Sequence, residues 1–410
     1  MTPESGTDHI VDHADNSAYS TISELPTPFA TLTANRVRHN IAVVHDWARL
    51  HSFTLRPHGK TTMCPTIWQT QLAAGAAGIT VATIQQAQVA LRHNVPHVQI
   101  ANPVIDHAAL RILRHAAAHH TYPRVTIWID SLAGVHAAAR ALHGVPVEVL
   151  IDMGVPAGRT GTRTIDQAVT IARAARAAGL RVAGVAGYEG AVAHDRHPNS
   201  LRRVRDYLHS ARRLYERLDT AELLDRGDRP PRLSLAGSIY ADLISDEFSP
   251  RRNPHATAIP VELRPGAYVA HDDDYYRANS PFGTRIPGPT LTAALHVWAR
   301  VISTPEPGMV ILNAGKRNLP TDLGTPLLQS STAGPIDDRT AVIDINDQHL
   351  IVRCPPRDPA LSLGSLIRLG ISHPCTAFDR WRRLVVIDDI DAPRDPAGPT
   401  VQHYVTTEFA

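Results

Sequence analysis

A chain of 410 residues that is 43% hydrophobic can bury a large core and is long enough for two domains. Its 41 Lys plus Arg against 39 Asp plus Glu leave a net charge of +2, which excludes the strongly basic footprint of a nucleic-acid or anionic-membrane binder. No apolar run is long enough to span a bilayer, and the polar start has no apolar segment of the secretory type.

In chain order, residues 1–26 are polar and aperiodic and read as a flexible arm. From residue 27 to residue 283 two textures alternate. Short β-rich stretches at 53–58, 79–83, 98–102, 125–130, 147–152, 182–188, 233–236 and 259–263 are separated by Ala/Arg/Leu-rich stretches of helical spacing, such as 168–178 and 201–218. Eight such units predict a parallel α/β domain closed as a (β/α)8 barrel, with an open doubly wound sheet as the rival. From residue 284 to residue 410 the texture changes. Stretches at 295–302, 309–313, 341–345, 350–353, 365–370 and 384–390 read as strands divided by Pro, Gly and Asp turns, predicting a mostly β second domain. The three cysteines, Cys64, Cys354 and Cys375, are too few and too scattered for a disulfide framework and fit a reducing, cytoplasmic setting.

Four constellations could carry chemistry. The chain has only two lysines, Lys60 and Lys316. Lys60 follows the first β-like stretch in Arg56-Pro57-His58-Gly59-Lys60-Thr61-Thr62, where a barrel strand would deliver it to the mouth. Burial there would favour the neutral amine that condenses with an aldehyde, whereas a surface lysine in a turn is the plainer reading of position alone. Two glycine turns, Ala236-Gly237-Ser238 and Arg264-Pro265-Gly266-Ala267-Tyr268, follow the last two barrel stretches, where barrels commonly seat phosphate; each alone is ordinary turn chemistry. His373-Pro374-Cys375 places an imidazole and a thiol on one side of an extended segment, a pair suited to zinc, although a chain with 23 histidines can also produce it by chance. Finally, Gly158-Arg159-Thr160-Gly161 and Tyr188-Glu189-Gly190 end the fifth and sixth stretches, so Arg159 and Tyr188 either face the site or lie on the rim.

The ordered set of motifs resembles the fold-type III pyridoxal-phosphate enzymes, and within them the D-serine dehydratase and D-threonine aldolase group of bacterial amino acid deaminases. It is carried by RPHGKTTMCP at 56–65, AAGAAGITVAT at 73–83, GRTG at 158–161, YEG at 188–190, AGS at 236–238, ELRPGAYV at 262–269, NAGKR at 313–317 and SHPCTAFDRW at 372–381. The resemblance implies an alanine-racemase-like barrel, a following β domain and a homodimer. It implies pyridoxal 5'-phosphate held by Lys60 as a Schiff base, with His58, Arg159 near the pyridine nitrogen, Tyr188 beside the cofactor, and Ser238, Gly266 and Ala267 on the phosphate. His373 and Cys375 match the zinc pair of the group. Cys375 tilts the reading from the aldolases, which usually carry Asp there, towards the dehydratases. Two departures bear on the substrate: Asn313 stands where the group often has Asp, and Thr62-Met63 replaces a common His-Lys.

The expected activity is therefore elimination of the β-hydroxyl from a D-serine-like amino acid, giving a keto acid and ammonia, with zinc assisting the hydroxide and Lys60 taking the Cα proton. Retro-aldol cleavage to glycine and an aldehyde is the main alternative. An amino acid racemase, a non-catalytic cofactor carrier and a cofactor-free barrel with Lys60 as general base are further ones.

Overall fold

The computed structural model describes residues 19–119, 124–254, 258–391 and 398–409. All eight barrel stretches are strands: Thr54–Leu55, Ile79–Val81, His97–Pro103, Arg124–Ile129, Val147–Met153, Arg181–Gly187, Arg232–Leu235 and Val261–Leu263. They pair in parallel as one eight-stranded sheet, with Thr54–Leu55 beside Val261–Leu263 at one end of the ladder and Ile79–Val81 at the other. The two ends meet. His58 and Thr80 form a parallel bridge, Thr80 N–H donates to Pro57 O at 2.8 Å, and Ala77 N–H donates to Leu55 O at 2.8 Å. This closure rules out the open doubly wound sheet.

The helices lie outside the barrel, with their apolar faces on the sheet. Pro198–Thr220 buries Val204, Tyr207, Leu208, Ala211, Leu214, Tyr215 and Leu218, a helical repeat facing one side. The helix Ala34–Leu50 precedes the first barrel strand and packs on the short helix Ala267–Val269 after the last one. Asn40 Nδ2 fastens it by donating to Val269 O (3.2 Å) and Thr292 O (2.7 Å).

A second, nine-stranded sheet contains the six stretches expected after residue 284, and also Leu327–Ser331, Val401–Thr406 and Phe29–Thr33. A division at residue 27 assigns Phe29–Thr33 to the barrel. It instead sits between Leu295–Glu306, antiparallel, and Arg383–Ile387, parallel. The arm expected over 1–26 falls partly outside the described residues, but its described part is not free. Ile22 and Leu25 are buried in an apolar cluster with Phe29, Trp298, Leu366 and Ile387, because the β sheet has a second face to cover.

The inward faces of the barrel strands hold charge rather than a dry core. Arg56 meets Glu262 at 2.8 Å, and Arg232 meets Glu262 at 3.3 Å and Glu148 at 3.0 Å, all buried. Ser234 Oγ donates to Glu262 Oε1 at 2.9 Å. Burial alone would raise the Glu262 carboxyl, but the Arg56 and Arg232 guanidiniums hold it down to about 2. Its folded value lies below the ordinary 4.5, so its stabilisation is complete above that pH and is lost as pH falls towards about 2. Glu262→Ala leaves the buried Arg56 guanidinium without its carboxylate and Arg232 with Glu148 alone, and is expected to cost about 3–5 kcal/mol at neutral pH. Urea unfolding checks this, and a loss no larger than that of a surface Glu→Ala control would contradict it.

Candidate active site

One cavity of about 210 Å³ lies where the barrel mouth meets the second sheet. Its lining includes every residue expected to hold the cofactor or a metal: His58, Lys60, Arg159, Tyr188, Ser238, Gly266, Ala267, His373 and Cys375. The first seven come from barrel strand ends, and the last two from the loop after the β-domain strand Leu366–Gly370.

Lys60 lies in a single turn, Gly59–Thr61, directly after the bridge residue His58. The turn is tight because Gly59 abuts Ile79 and Trp68; a Cβ there would come within 2.6 Å of Ile79 Cγ2. Burial, with the positive charges of Arg159 and Arg264, lowers the amine from its ordinary value, and a Cys375 thiolate opposes the shift. His58 is pushed well below its ordinary value by burial and by the charges of Lys60, Arg264 and Arg159, so it is a neutral ring.

The phosphate-type turns have the required donors. The backbone N–H groups of Ser238, Ile239, Gly266 and Ala267 find no protein acceptor among the described residues. Glu189, buried, fixes the first turn by accepting from Ala236 N–H (3.1 Å) and Gly237 N–H (2.6 Å). Three side-chain atoms of the lining are buried without partners: His58 Nδ1, Trp128 Nε1 and Arg264 Nε. A site with free backbone donors, orphaned ring and guanidinium nitrogens and a largely buried lysine fits pyridoxal phosphate.

Two arginines face the cavity, at different depths. Arg159 is at the exposed rim, its guanidinium 5.3 Å from the Tyr188 ring. Its loop is fastened by Asp130, which accepts from Gly161 N–H at 2.9 Å, and by Arg163, which donates to Arg159 O at 2.6 Å. Gly161 has φ +105°, and a Cβ there would lie 2.2 Å from Gly154 N, so only glycine fits. Arg264 is buried and lies 4.8 Å from the Trp128 ring, donating to Ser234 Oγ (2.7 Å) and Gly187 O (2.8 Å).

From the β domain, Cys375 Sγ lies 3.3 Å from the Oγ1 of Thr61, the residue next to Lys60. Burial would raise the thiol, but His373, Thr61 and Lys60 bring it below its ordinary value. His373 Nδ1 bonds to Asp322 Oδ2 at 2.6 Å, and Thr376 Oγ1 donates to Asp322 Oδ1 at 2.6 Å. An imidazole steered by a carboxylate beside an acidified thiol is a donor set that fits zinc. Among the described residues no cluster of three or more His, Cys, Asp or Glu is arranged around a metal position, and His373 and Cys375 are the pair that would hold one.

Sequence reasoning missed Glu189, Arg264 and Asp322. Arg264 lay inside a quoted motif, one residue before the proline of its glycine turn. Asp322 is 51 positions from His373 and had no local signal. Of the two departures, Asn313 does not line the cavity. Its Oδ1 accepts from Arg300 N–H at 2.8 Å and its Nδ2 donates to Thr27 Oγ1 at 2.9 Å, a donation no carboxylate could make. Thr62 and Met63 are buried and also lie outside the lining.

Comparison with known proteins settles the family. Residues 32–239 match the model of the alanine racemase N-terminal domain. The chain belongs to that family. This fold-type III pyridoxal-phosphate protein also matches a serine dehydratase domain over residues 294–387. It is 28% identical over 373 residues to the D-threonine aldolase of Arthrobacter sp., covering 90% of each chain. Over 177 residues it is 28% identical to the D-threo-3-hydroxyaspartate dehydratase of Delftia sp. (strain HT23), covering 42% of this chain and 45% of that one. The crystal structure of the D-threonine aldolase from Filomicrobium marinum is similar with a TM-score of 0.77 and 25% identity, over 95% of this chain and 98% of that one.

A Cβ on Gly266 would lie 2.6 Å from Thr61 Oγ1 and 2.9 Å from His58 O, so Gly266→Ala drives a methyl group into the Lys60 turn. The variant is expected to weaken cofactor binding by about 1–3 kcal/mol, as for other overpacked sites. Titration of the apoprotein with pyridoxal phosphate checks it, and an unchanged dissociation constant would remove this turn from the cradle.

Proposed function

We propose that this pyridoxal-phosphate lyase is a D-amino acid dehydratase that eliminates the β-hydroxyl of a D-serine-like substrate, yielding a keto acid and ammonia. The observation carrying this reading is the convergence of Lys60 and the His373–Cys375 pair on one cavity, linked through Thr61. Lys60 would hold the cofactor, with Ser238, Gly266 and Ala267 on its phosphate and His58, Arg159, Arg264 and Tyr188 around its ring. When bound, the cofactor supplies an electron sink for the pair released at Cα. Zinc on His373 and Cys375 would supply Lewis acidity towards the substrate hydroxyl.

The residues divide the work by position. Lys60, whose amine is brought below its ordinary value by burial and the charges of Arg159 and Arg264, takes the Cα proton at Nζ. Arginine rather than a carboxylate beside the ring would leave the ring nitrogen without an anionic partner, so the cofactor would supply a weaker electron sink. Cys375 and His373 reach the cavity beside the Lys60 turn from the β domain, so the leaving hydroxyl and the proton acceptor would be served by different domains. Asp322 keeps the His373 ring oriented through Nδ1.

Retro-aldol cleavage is the second reading. It is favoured by the 28% identity to a D-threonine aldolase over 90% of both chains. The same zinc would then assist deprotonation of the hydroxyl. A homodimer in the cytoplasm completes the proposal. In keeping with it, no helix among the described residues is long and apolar enough to cross a membrane, and all three cysteines are free thiols.

Product analysis on a panel of β-hydroxy-D-amino acids separates the readings: ammonia and keto acid are expected, and glycine with an aldehyde would replace dehydration by aldol cleavage. Lys60→Ala is expected to lose the visible cofactor band and all turnover, and a full band in that variant would refute the lysine's role. Metal stripping is expected to leave cofactor absorbance intact and abolish turnover, with zinc restoring it. Asp322→Asn is expected to weaken zinc binding by about 10–100-fold in competition with a chelator dye; unchanged affinity would make Asp322 a bystander.

A further inference from the structure

The Lys60 turn is followed by a residue in an unusual conformation. Met63 has φ +40°, in the left-handed region that a residue with a side chain rarely occupies, and it is fully buried. Its own N–H donates to Gly59 O at 2.8 Å, closing the turn over Lys60. Its carbonyl is held from elsewhere. The donor is the backbone N–H of Glu408, at 2.7 Å.

Glu408 follows the last strand of the β sheet, Val401–Thr406. The preceding Thr407 is tied to the segment after the His373–Cys375 loop: its N–H donates to Arg382 O at 3.1 Å and its Oγ1 to Trp381 O at 2.5 Å. The Glu408 carboxylate then reaches the barrel, with Oε2 accepting from Arg92 Nη2 at 3.1 Å and Oε1 at 2.5 Å from His93 Nε2. Arg92 ends the helix Ile84–Arg92 and His93 caps it. Phe409 packs on the apolar core beyond. Residues 407–409 thus touch both the residue that closes the Lys60 turn and the segment that follows the His373–Cys375 loop. On the cavity side the same elements meet through Thr61 Oγ1 and Cys375 Sγ.

We propose that residues 407–409 form a clasp that fixes the Lys60 turn of the barrel against the His373–Cys375 loop of the β domain, with Glu408 a positioning residue acting through the Met63 carbonyl. The inference rests on the reading of Lys60 as the cofactor lysine. Two walls of one cavity are supplied by different domains, and a misplacement of about 1 Å between reacting groups is enough to cost on the order of 100-fold in rate. The left-handed Met63 is the hinge through which that spacing could slip, and the Glu408 N–H is the bond that resists it.

The test compares three holoenzyme variants. Glu408→Pro removes the donor to Met63 and is expected to lower kcat and cofactor affinity each by about tenfold with KM unchanged. Glu408→Gln keeps the N–H and a side chain able to bond Arg92 and His93, and is expected to stay within about twofold of wild type in both. A proline variant matching wild type, or a glutamine variant as impaired as the proline one, would overturn the clasp. Glu408→Ala cuts residue 408 loose from Arg92 and His93, so its N–H no longer holds the Met63 carbonyl in place, and it serves where the proline variant fails to fold. Faster hydrogen exchange at the amides of residues 61–63 is then expected, and unchanged exchange overturns the proposal. Failure of the cofactor reading shows separately, as a wild-type protein with no visible cofactor band; the exchange measurement does not depend on that band.

Discussion

A lysine amine acts as a nucleophile or base only while it is uncharged, and Lys60 lies in a cavity that already contains two guanidinium groups. Burial and the fields of Arg159 and Arg264 act in the same direction on it. The cost of that arrangement appears in the supports around it. Arg264 is buried and must be held, and its two bonds, to Ser234 Oγ and Gly187 O, do that. Ser234 in turn donates to Glu262, the carboxylate shared by Arg56 and Arg232. The charged interior of the barrel is therefore continuous with the floor of the site. Arg56, four residues before Lys60, belongs to the same network, so the strand that delivers the lysine is anchored by it.

The His373–Cys375 wall belongs to another domain, and that changes what the fold must achieve. A barrel alone can align Lys60 with the phosphate turns, since all are strand ends of one closed sheet. The His373–Cys375 loop arrives from a sheet built from both parts of the chain, with Phe29–Thr33 between Leu295–Glu306 and Arg383–Ile387. Because Phe29–Thr33 leads directly into the helix Ala34–Leu50, which packs on the barrel, the two domains share a covalent and a packed connection close to the site.

Much of this was legible in the residues. The eight barrel strands stood out because buried parallel strands are short apolar runs divided by helical spacing. Lys60 stood out because the chain has one other lysine, and that one, Lys316, is exposed in a β-domain loop. The unread strands have physical reasons. Phe29–Thr33 has both partners more than 250 positions away, and nothing local in FATLT marks it as part of a distant sheet. Leu327–Ser331 is largely half-exposed and polar, and Val401–Thr406 carries Gln402 and His403 facing solvent. In the site, the groups that face the cavity belonged to recognisable turns; of those that hold them, Glu189 sat inside the YEG motif with its partners at 236 and 237, and Asp322 acts across the fold with no spacing signal.

The central claim is that Lys60 Nζ is the nitrogen joined to the cofactor, and a chain with two lysines makes it directly decidable. Borohydride reduction of the purified protein followed by peptide mass mapping should place the phosphopyridoxyl group on the peptide containing Lys60 and leave Lys316 unmodified. Label on Lys316, or no label on either lysine, would contradict it.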